Sequence, residues 1–161
     1  MMDQIDFQID FNEELTLFHP DARDADEVLD AAAHKLLELG CVLPSFGEAL
    51  KERERSYPTG IPFEANNVAI PHADSEYVRR SAMAACVLGT EVSFGNMADR
   101  QELIPVRLVF VLALADSKSH LSLLQVLMKS LQNPELTGAL SSAPNRETAC
   151  KLVKDGIFSS F

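Results

Sequence analysis

Residues 106–114 read Val106-Arg-Leu-Val-Phe-Val-Leu-Ala-Leu114, a run that is almost entirely apolar. Such a run is typical of a strand that is covered on both faces of a sheet. The apolar run from Ala82 to Leu88 predicts a second central strand. Val68-Ala-Ile70 predicts a short strand that Pro71 ends, because proline removes a backbone donor. We expect the segment from Gly95 to Glu102 to be a loop.

Helical patterns precede and follow these strands. Asp24, with Glu27 three residues later, is a typical helix start, and this helix is expected to run to about Leu39 before Gly40. Ser45 opens a second helix in the same way. Further helices are predicted at about residues 120–131, 136–140 and 146–153. Strands that alternate with helices indicate an α/β sandwich in a single domain.

The two ends of the chain are predicted to lie outside the main domain. From Asp3 to Phe11 apolar and polar residues alternate strictly, which predicts an edge strand or arm without chemistry of its own. We therefore divide the chain into an N-terminal strand or arm at residues 1–12, a main domain at 13–154 and a C-terminal tail at 155–161.

Composition excludes several classes of function. The chain has 161 residues, 47% of them apolar, and a formal net charge of −10. This charge argues against nucleic-acid or anionic-lipid binding and favours a protein partner with a basic face. No apolar run is long enough for a membrane span, and the acidic start is no secretory signal, so we expect a cytoplasmic protein without membrane insertion. Three widely spaced cysteines indicate a reducing compartment and no disulfide framework.

Three residues are candidates for one phosphoryl-transfer site. His72 follows Pro71 directly at the end of the short strand, and a neutral imidazole keeps a nucleophilic lone pair near pH 7. His120 lies in the first turn of a helix, whose N-terminus favours anions. Arg53 precedes the loop that leads to His72, and a guanidinium pairs well with phosphoryl oxygens. Taken singly, each of these residues also fits a structural or surface role.

With other elements in register, these residues resemble the enzyme IIA domains of the phosphoenolpyruvate-dependent sugar phosphotransferase system, of the mannitol/fructose class. The resemblance spans about residues 13–154. Its strongest motif is the strand that ends in Ala-Ile-Pro-His72. The matching residues, in order, are Arg53-Glu54, Thr59-Gly60, Val68-Ala-Ile-Pro-His72 and His120-Leu121.

The resemblance implies a mixed sheet flanked by helices and an enzyme that carries phosphate on His72. It implies that His120 is a second active-site histidine and that Arg53 is the supporting cation. HPr would be the donor and a cysteine of an enzyme IIB domain the acceptor. We also assign Thr59 and Ser119 as phosphate-supporting residues. No metal or other cofactor is implied.

Three acidic residues are candidates for contact with a basic partner protein. We expect a shallow apolar patch around His72 with acidic residues at its rim, which would meet a basic partner surface. The candidates for this rim are Glu54, Glu64 and Asp74.

The specificity and role of the chain have alternatives at this level. The segment Tyr57-Pro-Thr-Gly-Ile61 and the connection that follows it resemble the galactitol-specific branch. His120 also fits the nitrogen-related regulatory branch, in which the chain would act by phosphorylation-dependent protein binding. A hydrolase or metal enzyme built on His72 and His120 is a further alternative, but there is no Gly-x-Ser-x-Gly motif and no zinc pattern.

Overall fold

The computed structural model describes residues 9–160 of the chain. The strands are β1 (Thr16–Phe18), β2 (Gly60–Pro62), β3 (Asn67–Ala69), β4 (Ala82–Asn96) and β5 (Asp99–Ala113). The helices are α1 (Ala25–Glu38), α2 (Phe46–Ser56), α3 (Ser117–Ser130), α4 (Pro134–Ser141) and α5 (Arg146–Gly156), with short 3₁₀ turns at Glu13–Leu15, Ser75–Tyr77 and Phe158–Ser160.

The five strands form one mixed sheet. The long strands β4 and β5 make an antiparallel hairpin, β1 adds in parallel to β4, and β3 adds in parallel to β5. Strand β2 pairs antiparallel with β3 and touches the far end of β4, where Gly60 lies opposite Asn96. The mixed sheet predicted from the sequence is confirmed.

Helices cover both faces of the sheet. Alternate residues of β4 point to opposite sides: Cys86 packs with α1 and α2, while its neighbour Val87 packs with α3, α4 and α5. Fully buried side chains such as Leu36 on one side and Leu127 on the other each contribute ~1.5–3 kcal/mol by leaving water. The predicted α/β sandwich is therefore present, with a core on each side of the sheet.

The first helix forms for the reason that its sequence predicts. The Asp24 side chain accepts a hydrogen bond from the Glu27 N–H at 2.9 Å, and Gly40 takes φ +77° after the helix ends. The prediction was wrong in detail at the second helix. Ser45 has a helical backbone and makes no side-chain cap bond, so α2 begins at Phe46 without that device.

The predicted loop from Gly95 to Glu102 is wrong. These residues are the tip of the hairpin, and only Met97 and Ala98 lie between the two strands. Strand β4 continues past its apolar half because Phe94 pairs with Ile104 and Val92 with Val106, after a register shift that follows Val87. Pairing with β5 thus extends a strand into a segment whose local sequence is too polar to signal it.

Most of the predicted N-terminal strand lies outside the described residues. Within them, Asp10 forms a parallel bridge to Ala82, and the Phe11 ring stacks on Phe158 with centroids 5.3 Å apart. The start of the described chain therefore contacts its C-terminal end. The division into arm, domain and tail stays a prediction.

Candidate functional site

His72 is held where the chain leaves the sheet. The Pro71 carbonyl accepts a hydrogen bond from Leu112 N–H at 2.9 Å, and His72 then bridges to Leu112 of β5. The Nδ1 atom of His72 lies 3.1 Å from the Ile70 carbonyl oxygen. Because a carbonyl can only accept, Nδ1 is the protonated nitrogen, and Nε2 keeps the lone pair.

His120 lies beside His72 at the start of α3. The two ring centroids are 4.7 Å apart, with the ring planes at 78° to each other. Both rings are half-buried and line a shared cleft of about 460 Å³. We call this surface the histidine cleft; its lining includes Arg53, His72, Asp74, Glu76, Asp116, His120 and Leu121. Two segments about 50 residues apart in sequence are thereby joined in one site.

Both imidazoles are kept neutral. Burial lowers the pKa of His72 below 6.5, the Ile70 carbonyl partly opposes this, and the Arg53 charge lowers the pKa further. Burial also lowers the pKa of His120, with further lowering by His72 and Arg53. Burial is the largest cause of the lowered pKa of His120, ahead of the two neighbouring groups. Near pH 7, the His72 ring is therefore neutral, and one of its nitrogens keeps an unshared lone pair.

Arg53 brings positive charge to the histidine cleft from α2. Its Nη1 lies 3.2 Å from Asp74 Oδ1, and the guanidinium carbon lies 5.2 Å from the Tyr57 ring centroid. Its Nε is buried and makes no hydrogen bond. Because the pair with Asp74 is partly exposed, it contributes at most ~1 kcal/mol to stability. Arg53 thus lies with His72 and His120, as expected, and has donors that an anion could use.

Thr59 does not reach the histidine cleft. Its side chain is buried, and its hydroxyl donates to Glu54 Oε1 at 2.9 Å and accepts from Ile70 N–H at 3.1 Å. Direct support of a phosphoryl group by Thr59 does not fit this placement. Glu54 is likewise buried and cannot lie at an acidic rim, so both expectations are corrected by the direction in which these side chains point.

Ser119 is close in sequence to the site but already occupied. Its N–H donates to Asp116 Oδ1 at 2.7 Å and its hydroxyl donates to Asp116 Oδ2 at 3.1 Å. Asp116 is the N-cap of α3, and these contacts lower the pKa of its carboxyl. The end of this helix therefore carries a carboxylate, and the assignment of Ser119 as a phosphate-supporting residue does not fit the structure.

The mouth of the cleft combines exposed apolar and acidic groups. Leu121, which lines the cleft, is 60% exposed. Asp74 and Glu76 add acidic groups on one side, whereas Glu64 does not line the cleft. Sequence reasoning missed Asp116, and it included Leu121 only in the His120-Leu121 motif without a role of its own. Asp116 had a readable signal, since aspartate is a preferred residue at the N-cap of a helix, whereas the exposure of Leu121 had none.

Two features are absent from residues 9–160. No cluster of three or more histidine, cysteine, aspartate or glutamate side chains there could hold a metal ion. In the same part of the chain, no helix combines the length and the apolar character that crossing a membrane requires.

Sequence comparison identifies relatives of the whole domain. Residues 10–156 match the family model described as phosphoenolpyruvate-dependent sugar phosphotransferase system, EIIA 2. The galactitol-specific EIIA component of Escherichia coli K12 is 32% identical over 124 residues, which cover 77% of this chain and 82% of that protein. The mannitol-specific EIICBA component of Pasteurella multocida is 28% identical over 83% of this chain and 21% of its own length.

Solved structures share the fold at low sequence identity. IIA mannitol from Escherichia coli superposes with a TM-score of 0.74 at 22% identity, covering 90% of this chain and 99% of that one. The nitrogen regulatory protein IIA-Ntr from Neisseria meningitidis gives 0.68 at 18% identity, over 88% and 94% of the chains. Given the match of the family model to nearly the whole chain, this protein belongs to the EIIA 2 family of the phosphoenolpyruvate-dependent sugar phosphotransferase system, whose members are phosphotransferases that carry phosphate on histidine.

Proposed function

We propose that His72 is the phosphoryl carrier of this chain, taking the group from HPr and passing it to a cysteine of an enzyme IIB domain. The observation that carries the proposal is the orientation of one ring: Nδ1 of His72 is held by the Ile70 carbonyl, which leaves Nε2 as the nucleophile in a cleft shared with His120 and Arg53. A depressed pKa keeps that nitrogen unprotonated near neutral pH.

Each of the two transfer steps forms one bond to phosphorus and breaks another, and no proton leaves the His72 ring. The Nε2 lone pair of His72 attacks the phosphorus of the donor, an N–P bond forms, and the bond from phosphorus to the donor breaks with its electron pair. The proton stays on Nδ1, and its hydrogen bond to the Ile70 carbonyl oxygen stabilises the positive charge that the ring gains. In the second step a thiolate of the acceptor attacks phosphorus, and the N–P electron pair returns to Nε2.

Arg53 and His120 are assigned electrostatic roles. The guanidinium has five N–H donors, and one of its nitrogens bonds to Asp74, so donors remain for phosphoryl oxygens. The His120 ring centroid lies 4.7 Å from that of His72, and a neutral imidazole can donate a hydrogen bond from one nitrogen. These groups stabilise charge that develops during transfer, which is the main demand of phosphoryl chemistry on a protein.

The partners and substrate follow from the relatives. One solved structure with this fold is a complex of enzyme IIA mannitol with phosphorylated enzyme IIB mannitol from Escherichia coli. The galactitol-specific relative supports a sugar or polyol uptake system, with galactitol the favoured substrate. The reducing surroundings indicated by three free, buried cysteines support a cytoplasmic location.

A regulatory role is the second candidate. His120 fits the nitrogen-related branch, in which phosphorylation of His72 would control protein binding and no sugar would be moved. The galactitol-specific relative, at 32% identity over most of both chains, favours transport more strongly than an 18% identical fold favours regulation. Transfer from the phosphorylated chain to a cognate enzyme IIB separates the two candidates.

A labelling experiment tests the carrier. The chain is incubated with enzyme I, HPr and labelled phosphoenolpyruvate, and wild type is compared with His72→Gln and with His34→Gln. His34 is an exposed histidine on α1 that does not line the cleft, and it serves as the matched control. We expect an acid-labile, base-stable label on wild type and on His34→Gln, and background label on His72→Gln. Equal labelling of His72→Gln and wild type would contradict the proposal.

A further inference from the structure

A buried polar cluster lies directly behind the histidine cleft. Glu54 of α2 accepts two hydrogen bonds from Thr59, one from its N–H to Oε2 at 2.9 Å and one from its hydroxyl to Oε1 at 2.9 Å. Glu54 is 8% exposed and Thr59 is 3% exposed. The cluster therefore consists of a carboxyl and a hydroxyl that solvent scarcely reaches.

The cluster is connected to His72 through the backbone of Ile70. The Thr59 hydroxyl accepts from Ile70 N–H at 3.1 Å, and the Ile70 carbonyl accepts from Nδ1–H of His72 at 3.1 Å. The N–H of Ile70 is thus bonded to Thr59, and the carbonyl of Ile70 is bonded to the His72 ring. The bonds from Glu54 to Thr59 and from Thr59 to Ile70 are buried, and the last bond, to His72, is partly buried.

Burying the ionisable carboxyl of Glu54 costs free energy of folding, which a purely structural role would not require. Burial raises the pKa of Glu54 to about 7, against 4.5 for a free carboxyl. A buried ionisable group is often less stabilising than an apolar group of the same volume. Its two bonds to Thr59 orient the hydroxyl so that its lone pair faces Ile70 N–H, which an apolar side chain could not do.

We infer that Glu54 and Thr59 are positioning residues for phosphoryl transfer, which set the backbone of Ile70 so that its carbonyl keeps His72 in the Nδ1–H tautomer with Nε2 free. This inference rests on the proposed role of His72 and assigns to Thr59 a function other than phosphate contact. Neither residue touches the phosphoryl group. Their effect reaches the reaction through the orientation and tautomer of one ring.

The test removes the Thr59 hydroxyl and keeps its shape. Thr59→Val loses both hydroxyl bonds, and Thr59→Ser keeps them. Two readouts are used: nitrogen-15 NMR of the His72 ring, which reports the tautomer, and the rate of label transfer from phosphorylated HPr. For Thr59→Val we expect a larger share of the Nε2–H tautomer and a kcat reduced by roughly tenfold or more, with KM for HPr little changed. Thr59→Ser should resemble wild type.

Thr137 supplies the matched control. It is a buried threonine on α4, 1% exposed, whose hydroxyl accepts from Asn66 Nδ2 at 2.7 Å and donates to the Asn133 carbonyl at 3.3 Å. Thr137→Val should lose comparable stability without changing the tautomer or kcat.

Three outcomes separate the possibilities. If Thr59→Val and Thr137→Val lose only stability, the role of Thr59 is structural and the inference is overturned. An Nε2–H tautomer in the wild-type spectrum overturns it even if Thr59→Val does not fold. Absence of label on wild-type His72 would instead contradict the proposed carrier, so the two failures are distinct.

Discussion

Glu54 is adjacent in sequence to Arg53, yet the two side chains point to different parts of the protein. Arg53 reaches the histidine cleft and pairs with Asp74, while Glu54 turns into the protein and bonds Thr59. Successive residues on a helix are separated by about 100° around its axis, so neighbours on α2 serve different surfaces. A charged dipeptide that looks like one solvated patch thus contributes one residue to the site and another to its support.

The buried carboxyl of Glu54 predicts a specific pH dependence of stability. Its pKa is about 7 in the folded protein and near 4.5 when free, so the folded state binds more protons between these values. The stability it contributes is fully present below pH 4.5 and is lost as the pH rises through 7. We expect the free energy of unfolding of wild type, relative to Glu54→Gln, to fall by up to about 3 kcal/mol over this range.

Urea unfolding of both proteins at several pH values between 4.5 and 8 measures this difference. Comparison with Glu54→Gln is needed because His72 and His120, whose pKa values are lowered, oppose the trend by losing stability as the pH falls. Both proteins share those histidines, so their effect cancels in the difference. Parallel stability curves for the two proteins would contradict the expected titration of Glu54.

At the scale of elements, the β4–β5 hairpin determines where the site lies. Strand β3 runs parallel to β5, which brings His72 beside Leu112, and α3 begins four residues after β5 ends. His120 therefore returns to the same edge of the sheet as His72. Ligand sites in sheets with parallel strands commonly lie at such strand ends, where loops and helix starts converge.

Close contact between β2 and the hairpin predicts the effect of an added methyl group. A Cβ at Gly60 would lie 2.5 Å from the Gly95 carbonyl oxygen and 3.1 Å from Ile104 Cδ1. Because a backbone carbonyl cannot move aside cheaply, we expect Gly60→Ala to lower the free energy of unfolding by ~1–3 kcal/mol. Gly138→Ala is the control, since nothing lies within 4 Å of its added Cβ.

Thermal or urea unfolding compares these two glycine variants. Gly138 lies inside α4, so alanine there should raise stability by about 0.5–1 kcal/mol. The two substitutions should therefore shift the midpoint in opposite directions. A Gly60→Ala protein as stable as wild type would mean that β2 does not approach the hairpin as closely as described.

At the scale of the whole molecule, two cores stabilise the fold, and an acidic surface surrounds them. The helix layers on each face bury the sheet, and the histidine cleft opens at one edge between α2 and α3. The formal net charge is −10, and acidic groups stand at the mouth of the cleft. A partner with a basic face would be attracted over distances comparable with the Debye length, which shortens as salt increases.

The charge predicts a salt-dependent encounter with the donor. With HPr below saturation, the rate of label transfer should fall by about tenfold as salt rises from ~0.05 to ~0.5 M. The rate at saturating HPr should change little, because the chemistry occurs inside a half-buried cleft. The measurement is the amount of label transferred in timed, quenched reactions at HPr concentrations below and at saturation. A rate that is independent of salt, or that rises with it, would rule out electrostatic attraction.

Several elements could be predicted from consecutive residues and others could not. The helix α1 follows from Asp24 and from an apolar stripe. In that stripe Val28, Ala32 and Leu36 are buried, whereas Leu39 lies just past the helix and is half-buried. The short strand β1 was missed because three residues show no periodicity. The hairpin tip was assigned to a loop because its polar residues carry no strand signal without their partners on the opposite strand.

The candidate site divides in a similar way. His72, His120 and Arg53 share one cleft, as the sequence led us to expect from their motifs. Thr59 and Ser119 belong to the neighbourhood but face other groups, and Glu54 lies in the interior. Residue identity and spacing indicate which segments take part in a site, whereas the contacts of each side chain depend on how those segments pack.

The sequence by itself determined the α/β class, the two central strands, the main helices and the histidine that ends a strand, because periodicity and cap chemistry are properties of neighbouring residues. Only the tertiary structure decided that the ring centroids of His120 and His72 lie 4.7 Å apart and that the Thr59 hydroxyl, bonded to Glu54, accepts from Ile70 N–H. Those facts depend on contacts between separate segments of the chain, whose relative placement follows from burial in two cores and from strand pairing.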